Sequence, residues 1–163
     1  MRNNRQFLGV ITKPIISILF VLFFSSCDSN RVYEENMDIP QMAWDKNNKL
    51  KFEVDITDTI SAYNVFINIR NAGIYQFSNI YLFINITFPN GKIRKDTTQC
   101  TLADVQGNWL GSGLGDIWDN KIEYMPNTHF PLSGKYIFEI EQAMRADKLE
   151  GILDAGLRVE KLK

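Results

Sequence analysis

From Lys49 onward, apolar and polar side chains alternate: Leu50, Phe52, Val54 and Ile56 share one face, and Lys49, Lys51, Glu53 and Asp55 the other. A two-residue period is that of a strand with one face buried and one in water. Tyr63, Val65, Ile67 and Ile69 repeat it against Asn64, Phe66, Asn68 and Arg70, with Phe66 as the apolar exception on the outer face. A third apolar run, residues 80–88, ends in Pro89, Asn90 and Gly91 before Ile93. Asn and Gly tolerate positive φ, so this triplet predicts a hairpin. Further strands are expected near 100–105, 117–124, 136–140 and 157–162, each bounded by Gly, Pro, Asn or Asp. Residues 142–149 favour helix but are too few to hold more than a connecting turn. Roughly seven or eight short strands, no long amphipathic helix and no internal repeat predict an all-β fold. The expected architecture is an antiparallel β-sandwich or jelly-roll-like single domain over residues 49–163.

The N-terminal pattern differs. Arg2, Arg5 and Lys13 precede residues 15–24, which are apolar apart from Ser17. That stretch is too short for a hydrocarbon layer needing about 20 helical residues, so it reads as the core of a cleaved export signal. Ser25 and Ser26 place small side chains ahead of Cys27, as a lipoprotein signal peptidase requires, although Phe24 stands where a branched aliphatic residue is usual. Residues 1–26 are therefore expected to be a lipoprotein signal peptide, and residues 27–48 a lipidated cysteine with a polar tether. The alternative use of Cys27 is a disulfide with Cys100, the one other cysteine. If Cys27 is acylated, Cys100 is left as a buried, idle thiol.

Cleavage leaves 137 residues, enough for one core, with 15 basic against 19 acidic side chains. A mildly acidic domain lacks the basic stripe that nucleic acid requires. Acyl chains on Cys27 would anchor it to a membrane permanently.

Catalytic chemistry finds little support. His129, the single histidine, sits in a loop-like stretch before Pro131, with no nucleophile elbow elsewhere in the chain. Zinc would need clustered Cys and His. Asp55, Asp58, Asp116 and Asp119 could serve calcium, but their spacing fits no EF-hand and they read better as solvated loop acids. No catalytic residue, metal or cofactor is expected. Asn85 begins a glycosylation-like triplet by chance. Four glycines surround Trp109 between Gly107 and Gly115. Asp116 follows the last of them and would repel a phosphate, so Trp109 either plugs the core at a sheet corner or anchors a contact surface.

Four groups of short motifs run along the chain. Tyr63-Asn64-Val65 with Ile69-Arg70-Asn71 is the first, and Tyr75 with Ser78-Asn79 and Tyr81-Leu82-Phe83 the second. Asp96-Thr97, Leu102-Ala103-Asp104 and Gly107-Asn108-Trp109-Leu110-Gly111 make the third. Gly134-Lys135-Tyr136, Gln142-Ala143-Met144-Arg145, Gly151-Ile152 and Gly156-Leu157-Arg158-Val159 make the last. Together they resemble the motifs of the gliding-motility lipoproteins called GldH, found in Bacteroidetes.

The resemblance implies a non-catalytic lipoprotein supporting gliding and the associated type IX secretion machinery. Its partners would be other envelope proteins, and it would face the periplasm, from the outer membrane in preference to the inner. Arg70, Arg145 and Trp109 are the candidate contact residues, the arginines serving either a partner's carboxylate or an internal salt bridge. A glycan- or small-ligand-binding lipoprotein is the alternative, which an exposed cluster of Trp109, Trp118 and Tyr124 would favour.

Overall fold

The computed structural model describes residues 30–162; Cys27 and the expected signal peptide lie outside them. Eleven strands follow one another: β1 (Arg31–Asp38), β2 (Ala43–Asp45), β3 (Leu50–Ile56), β4 (Tyr63–Ala72), β5 (Asn79–Thr87), β6 (Ile93–Thr101), β7 (Ser112–Leu114), β8 (Ile117–Thr128), β9 (Gly134–Gln142), β10 (Lys148–Glu150) and β11 (Ile152–Lys161). Their antiparallel pairings nest, first strand with last: β1 with β11, β2 with β10, β3 with β9, β4 with β8, and β5 with β6. This is one long hairpin, rolled up so that β11 also pairs with β4 and β9 with β5. The rolling gives a five-stranded sheet ordered β1-β11-β4-β8-β7 and a four-stranded sheet ordered β3-β9-β5-β6. The two are the halves of a jelly-roll sandwich.

The alternation read from the sequence sets the core. Phe52, Val54, Val65, Ile67, Leu82, Ile84, Tyr136, Phe138, Leu157 and Val159 belong to one buried cluster supplied by both sheets. Trp44 of β2 is fully buried, its indole N–H satisfied by the carbonyl of Asn48 at 2.9 Å. Phe66, the outer-face exception, lies under the Lys121 ammonium, 4.0 Å from the ring centroid.

Three expectations need correction. Residues 31–45, read as part of a tether, belong to the folded domain, which begins at about Arg31 and not at residue 49. β1 is an edge strand that sends only Tyr33 and Met37 against the core, so its sequence carries almost no apolar signal. Residues 142–149 hold no helical turn. Gln142 ends β9, and its amide braces the following turn by donating to the carbonyl of Ala146 at 2.9 Å and accepting from the N–H of Met144 at 2.9 Å. The strand expected near 100–105 is displaced: β6 ends at Thr101. From there Leu102 and Ala103 stay buried and donate to the carbonyl of Ser78, and pairing is reduced to an isolated bridge between Ala103 and Trp109.

All strands run between two ends. At the proximal end the chain enters: the N–H of Lys161 donates to the carbonyl of Asn30 and that of Leu162 to Ala62, both at 2.8 Å. Residues 57–62 and 88–92 turn there, since Gly134 sits opposite Ile56 and against Pro89. The distal end collects residues 73–78, 102–116 and 143–147.

Candidate interaction surface

The distal end is built on rings. Trp109 stacks on Trp118 with centroids 5.4 Å apart and lies 6.5 Å from Tyr75, which meets Phe77 edge-on at 5.6 Å. Tyr75 is buried and donates its hydroxyl to the carbonyl of Asn79 at 2.9 Å. Burial pushes the Tyr75 phenol well above its ordinary range, so it stays a neutral donor. Close backbone approach makes the stack possible. A Cβ at Gly73 would stand 3.2 Å from the Trp118 ring, and one at Gly151, whose φ is +89°, would stand 2.7 Å from the Tyr75 nitrogen.

Asp104 organises the loop that delivers Trp109. Its carboxylate accepts from the backbone N–H groups of Gln106 at 2.9 Å and Asn108 at 2.8 Å, and from the Asn108 amide at 2.9 Å. Those bonds, the Asn108 side chain first, hold the carboxyl below its usual range. Above the ring base, apolar side chains point into solvent: Val105 is 96% exposed and Leu114 93%, accompanied by Met42, Ile74, Phe77, Leu110 and Ile117. A cleft of about 260 Å³ separates Gln76 and Phe77 from Ala146, Lys148 and Glu150.

The candidate arginines divide. Arg70 is engaged internally, bridging Asp119 of β8 and Asp154 of β11, the latter at 3.1 Å. Asp154 is nearly buried, and burial raises its pKa against the pull of Arg70, with Asp119 and Asp38 adding repulsion. The pair floors a polar groove of about 260 Å³ on the outer face of the five-stranded sheet, lined also by Asn36, Asn68, Ser112 and Lys121. Arg145 is exposed on the distal 143–147 turn and forms no ion pair among the described residues. Trp109 is half-buried and packs against the core cluster, so it serves as the base of the distal surface and not as its tip.

The other candidates stay apart. Tyr124 leaves the tryptophan pair and donates across the sandwich to Asp96 of β6 at 3.0 Å, so the three aromatic residues form no common cluster. His129 is exposed at the proximal end. Asp58 pairs with Lys161 and Asp119 with Arg70, and among the described residues no group of three or more His, Cys, Asp and Glu is placed to hold a metal. Cys100 is free, fully buried and held as a thiol, with burial pushing its pKa up to about 12. Ile74 and Phe77 escaped sequence reasoning, and Tyr75 entered it only within a family motif, because they sit in a loop with no period.

Comparison with known proteins places this architecture. The family described as GldH lipoprotein matches residues 31–159. A gliding motility lipoprotein GldH homolog of Christiangramia forsetii is 42% identical over 153 residues, covering 90% of this chain and 93% of its own. The gliding motility lipoprotein GldH of Flavobacterium johnsoniae is 34% identical over 152 residues, covering 89% and 94%. Among solved structures, a carbohydrate-binding module specific for non-crystalline cellulose aligns at a TM-score of 0.40 with 8% identity, over 80% of this chain and 72% of its own. The capsid protein of infectious bursal disease virus, in its subviral particle, aligns at 0.33 with 13% identity, over 78% and 29%. The match along nearly the whole folded domain and the two close relatives settle the family: this chain belongs to the GldH lipoproteins.

Proposed function

We propose that this protein is a non-catalytic lipoprotein of the cell envelope that supports gliding motility and the associated type IX secretion machinery by presenting its distal loops to a partner protein. The observation that carries the docking role is the set of apolar side chains exposed on a braced aromatic base. Val105 and Leu114 bury nothing within the domain, and several large apolar side chains exposed at one end of a sandwich suit a contact surface. Removal of residues 1–26 and acylation of Cys27 supply the anchor, with the domain in the periplasm and the outer membrane as its support. Support for acylation over a disulfide comes from the fold: Cys100 lies beside Tyr75 at the distal end, whereas Asn30, three positions after Cys27 in the sequence, is bonded to Lys161 at the proximal one.

Complementation of a deletion strain tests this reading. The wild-type gene restores protein secretion and colony spreading, and a Leu110→Ser/Leu114→Ser double variant, present in the envelope at the same level, does not. Full restoration by the double variant would sink the docking role.

Glycan binding has one supporting observation. Phe83 and Tyr81 are exposed on the outer face of the four-stranded sheet, and Phe83 lines a depression of about 600 Å³ with Lys49, Asn85, Lys95, Thr97 and Glu141. Titration with cellohexaose and chitohexaose, compared with Phe83→Ala, decides it: absence of binding to both removes the reading.

A further inference from the structure

The proximal end carries a feature that anchoring alone does not require. Residues 57–62 form a braced turn: the Asp58 carboxylate accepts from the backbone N–H groups of Ile60 at 2.9 Å and Ser61 at 3.1 Å and from the Ser61 hydroxyl at 2.7 Å, and pairs with Lys161 at 2.6 Å. On this fixed turn Ile60 is 88% exposed. Ile93, 61% exposed, stands on the β5–β6 hairpin at the same end. Neither side chain contributes to the core, and the loop holding Ile60 cannot fold it away without breaking the Asp58 bonds.

The position of this end relative to a membrane follows from chain length. Asn30 lies three residue steps after Cys27, and extended chain spans at most about 3.6 Å per residue, so about 11 Å in all. Asn30 is tied through Lys161 and Leu162 to Ala62, within the Ile60 turn. If Cys27 carries acyl chains, as proposed above, Ile60 is held within reach of the headgroups whatever else the domain does. The local charge permits contact, since Arg31, Lys135 and Lys161 are each paired with a carboxylate (Glu34, Glu53 and Asp58), and Lys92 beside Ile93 is an exposed cation without an ion pair among the described residues. Lys92 offsets Asp55, the exposed acid at the proximal end of β3, so the charge at this end is close to balanced.

We infer that the proximal end is a second membrane contact, in which Ile60 and Ile93 seat in the headgroup region of the bilayer that holds the Cys27 acyl chains. A tether this short makes the encounter effectively intramolecular, so two aliphatic side chains suffice where they would not recruit a free protein. Contact at this end sets the strands steeply to the membrane. β4 has ten residues, and at about 3.3 Å per residue it holds the distal loops about 30 Å out.

The test uses the full lipoprotein in vesicles of phosphatidylethanolamine and phosphatidylglycerol. Ile60→Cys and Leu114→Cys variants are labelled with an environment-sensitive nitrobenzoxadiazole dye. Cys100, fully buried, stays unlabelled, and both target positions are exposed enough to leave the fold intact. Nitroxide-bearing lipids should quench the label at position 60 several-fold more than that at 114, and its emission should be blue-shifted. Equal quenching at the two positions, or stronger quenching at 114, would overturn the inference. Co-sedimentation and the mass of Cys27 in the same samples separate the two readings: a protein that fails to co-sediment sinks the anchor and the contact with it, whereas one that co-sediments with position 60 unquenched sinks the contact alone.

Discussion

The two ends of the sandwich close the same strands by different means. At the proximal end Asp58 fixes residues 58–61, Gly91, at φ +80°, closes the β5–β6 hairpin, and the rings of Phe130, Tyr63 and Tyr136 pack edge-on in the core beneath the turns. At the distal end one connection, residues 102–111, is longer, and rings reach outward along it, Trp109 on Trp118 and Tyr75 on Phe77. An apolar base costs more sequence, and it can support side chains such as Val105 and Leu114 that bury nothing within the domain. Under the proposed function the difference divides the roles: one end would locate the domain, and the other would meet a partner.

Removing the distal base should have the largest effect on stability. Trp109→Ala deletes a half-buried ring from the stack, and with full burial of such a ring worth 3–5 kcal/mol, a loss of about 2–3 kcal/mol is expected in urea unfolding. Ile60→Ala at the other end should stay within about 0.5 kcal/mol of wild type, since its side chain packs on nothing. Equal effects would erase the distinction between a structural base and a surface contact.

Gly151 tests the same base through the backbone. At φ +89° with Tyr75 pressed against it, Gly151→Ala should cost about 1–2 kcal/mol and shift tryptophan emission to the red as the stack loosens. A stabilised variant, or unchanged emission, would show that the backbone there is free to relax.

Much of this architecture was legible and some was not, for physical reasons. β3 and β4 announce themselves because each buries one face and wets the other, and the β5–β6 turn because Asn90 and Gly91 supply the required backbone freedom. β6 itself is hidden: it is an edge strand whose Asp96 points inward to Tyr124, which keeps the edge from pairing with another sheet and removes the apolar rhythm that would have revealed it. β1 is masked in the same way. At the distal site Trp109 stood out by its glycines, but Tyr75 and Phe77 gain meaning only when jelly-roll closure brings residues 73–78 beside residues 102–116. The partners of Arg70 were invisible likewise, since Asp119 and Asp154 arrive from strands far along the chain.

That arginine gives the next smaller effect, and one that depends on pH. Asp154 has a folded pKa raised above its ordinary 3.8, so the native state holds this proton more tightly than the unfolded chain, and ionisation as pH rises through the folded value removes stability. Arg70 offsets part of that loss. Arg70→Gln should therefore be weaker than wild type by about 1–2 kcal/mol at neutral pH, with the deficit shrinking as pH falls through the raised Asp154 value and that carboxyl becomes neutral in the native state. A deficit independent of pH would mean that Arg70 acts through packing alone.

The smallest effect separates the turn-forming carboxylates of the two ends. Asp58 is held well below the usual carboxylate range, first by its hydrogen bond with Lys161, then by Ser61 and the backbone. Asp104 is lowered by neutral donors, first the side chain of Asn108. In both cases the folded pKa lies below the unfolded one, so each contribution is complete above about pH 4 and is lost as pH falls through the folded value. Asp58→Asn and Asp104→Asn should each lower Tm slightly at neutral pH and converge with wild type in acid. Salt then tells them apart: raising ionic strength screens the exposed Lys161 charge and should narrow the Asp58→Asn difference, while leaving that of Asp104→Asn in place. If both differences narrow alike, Asp104 depends on a charge as Asp58 does, and the contrast between an ion-paired turn near the anchor and a hydrogen-bonded loop beneath the docking surface falls.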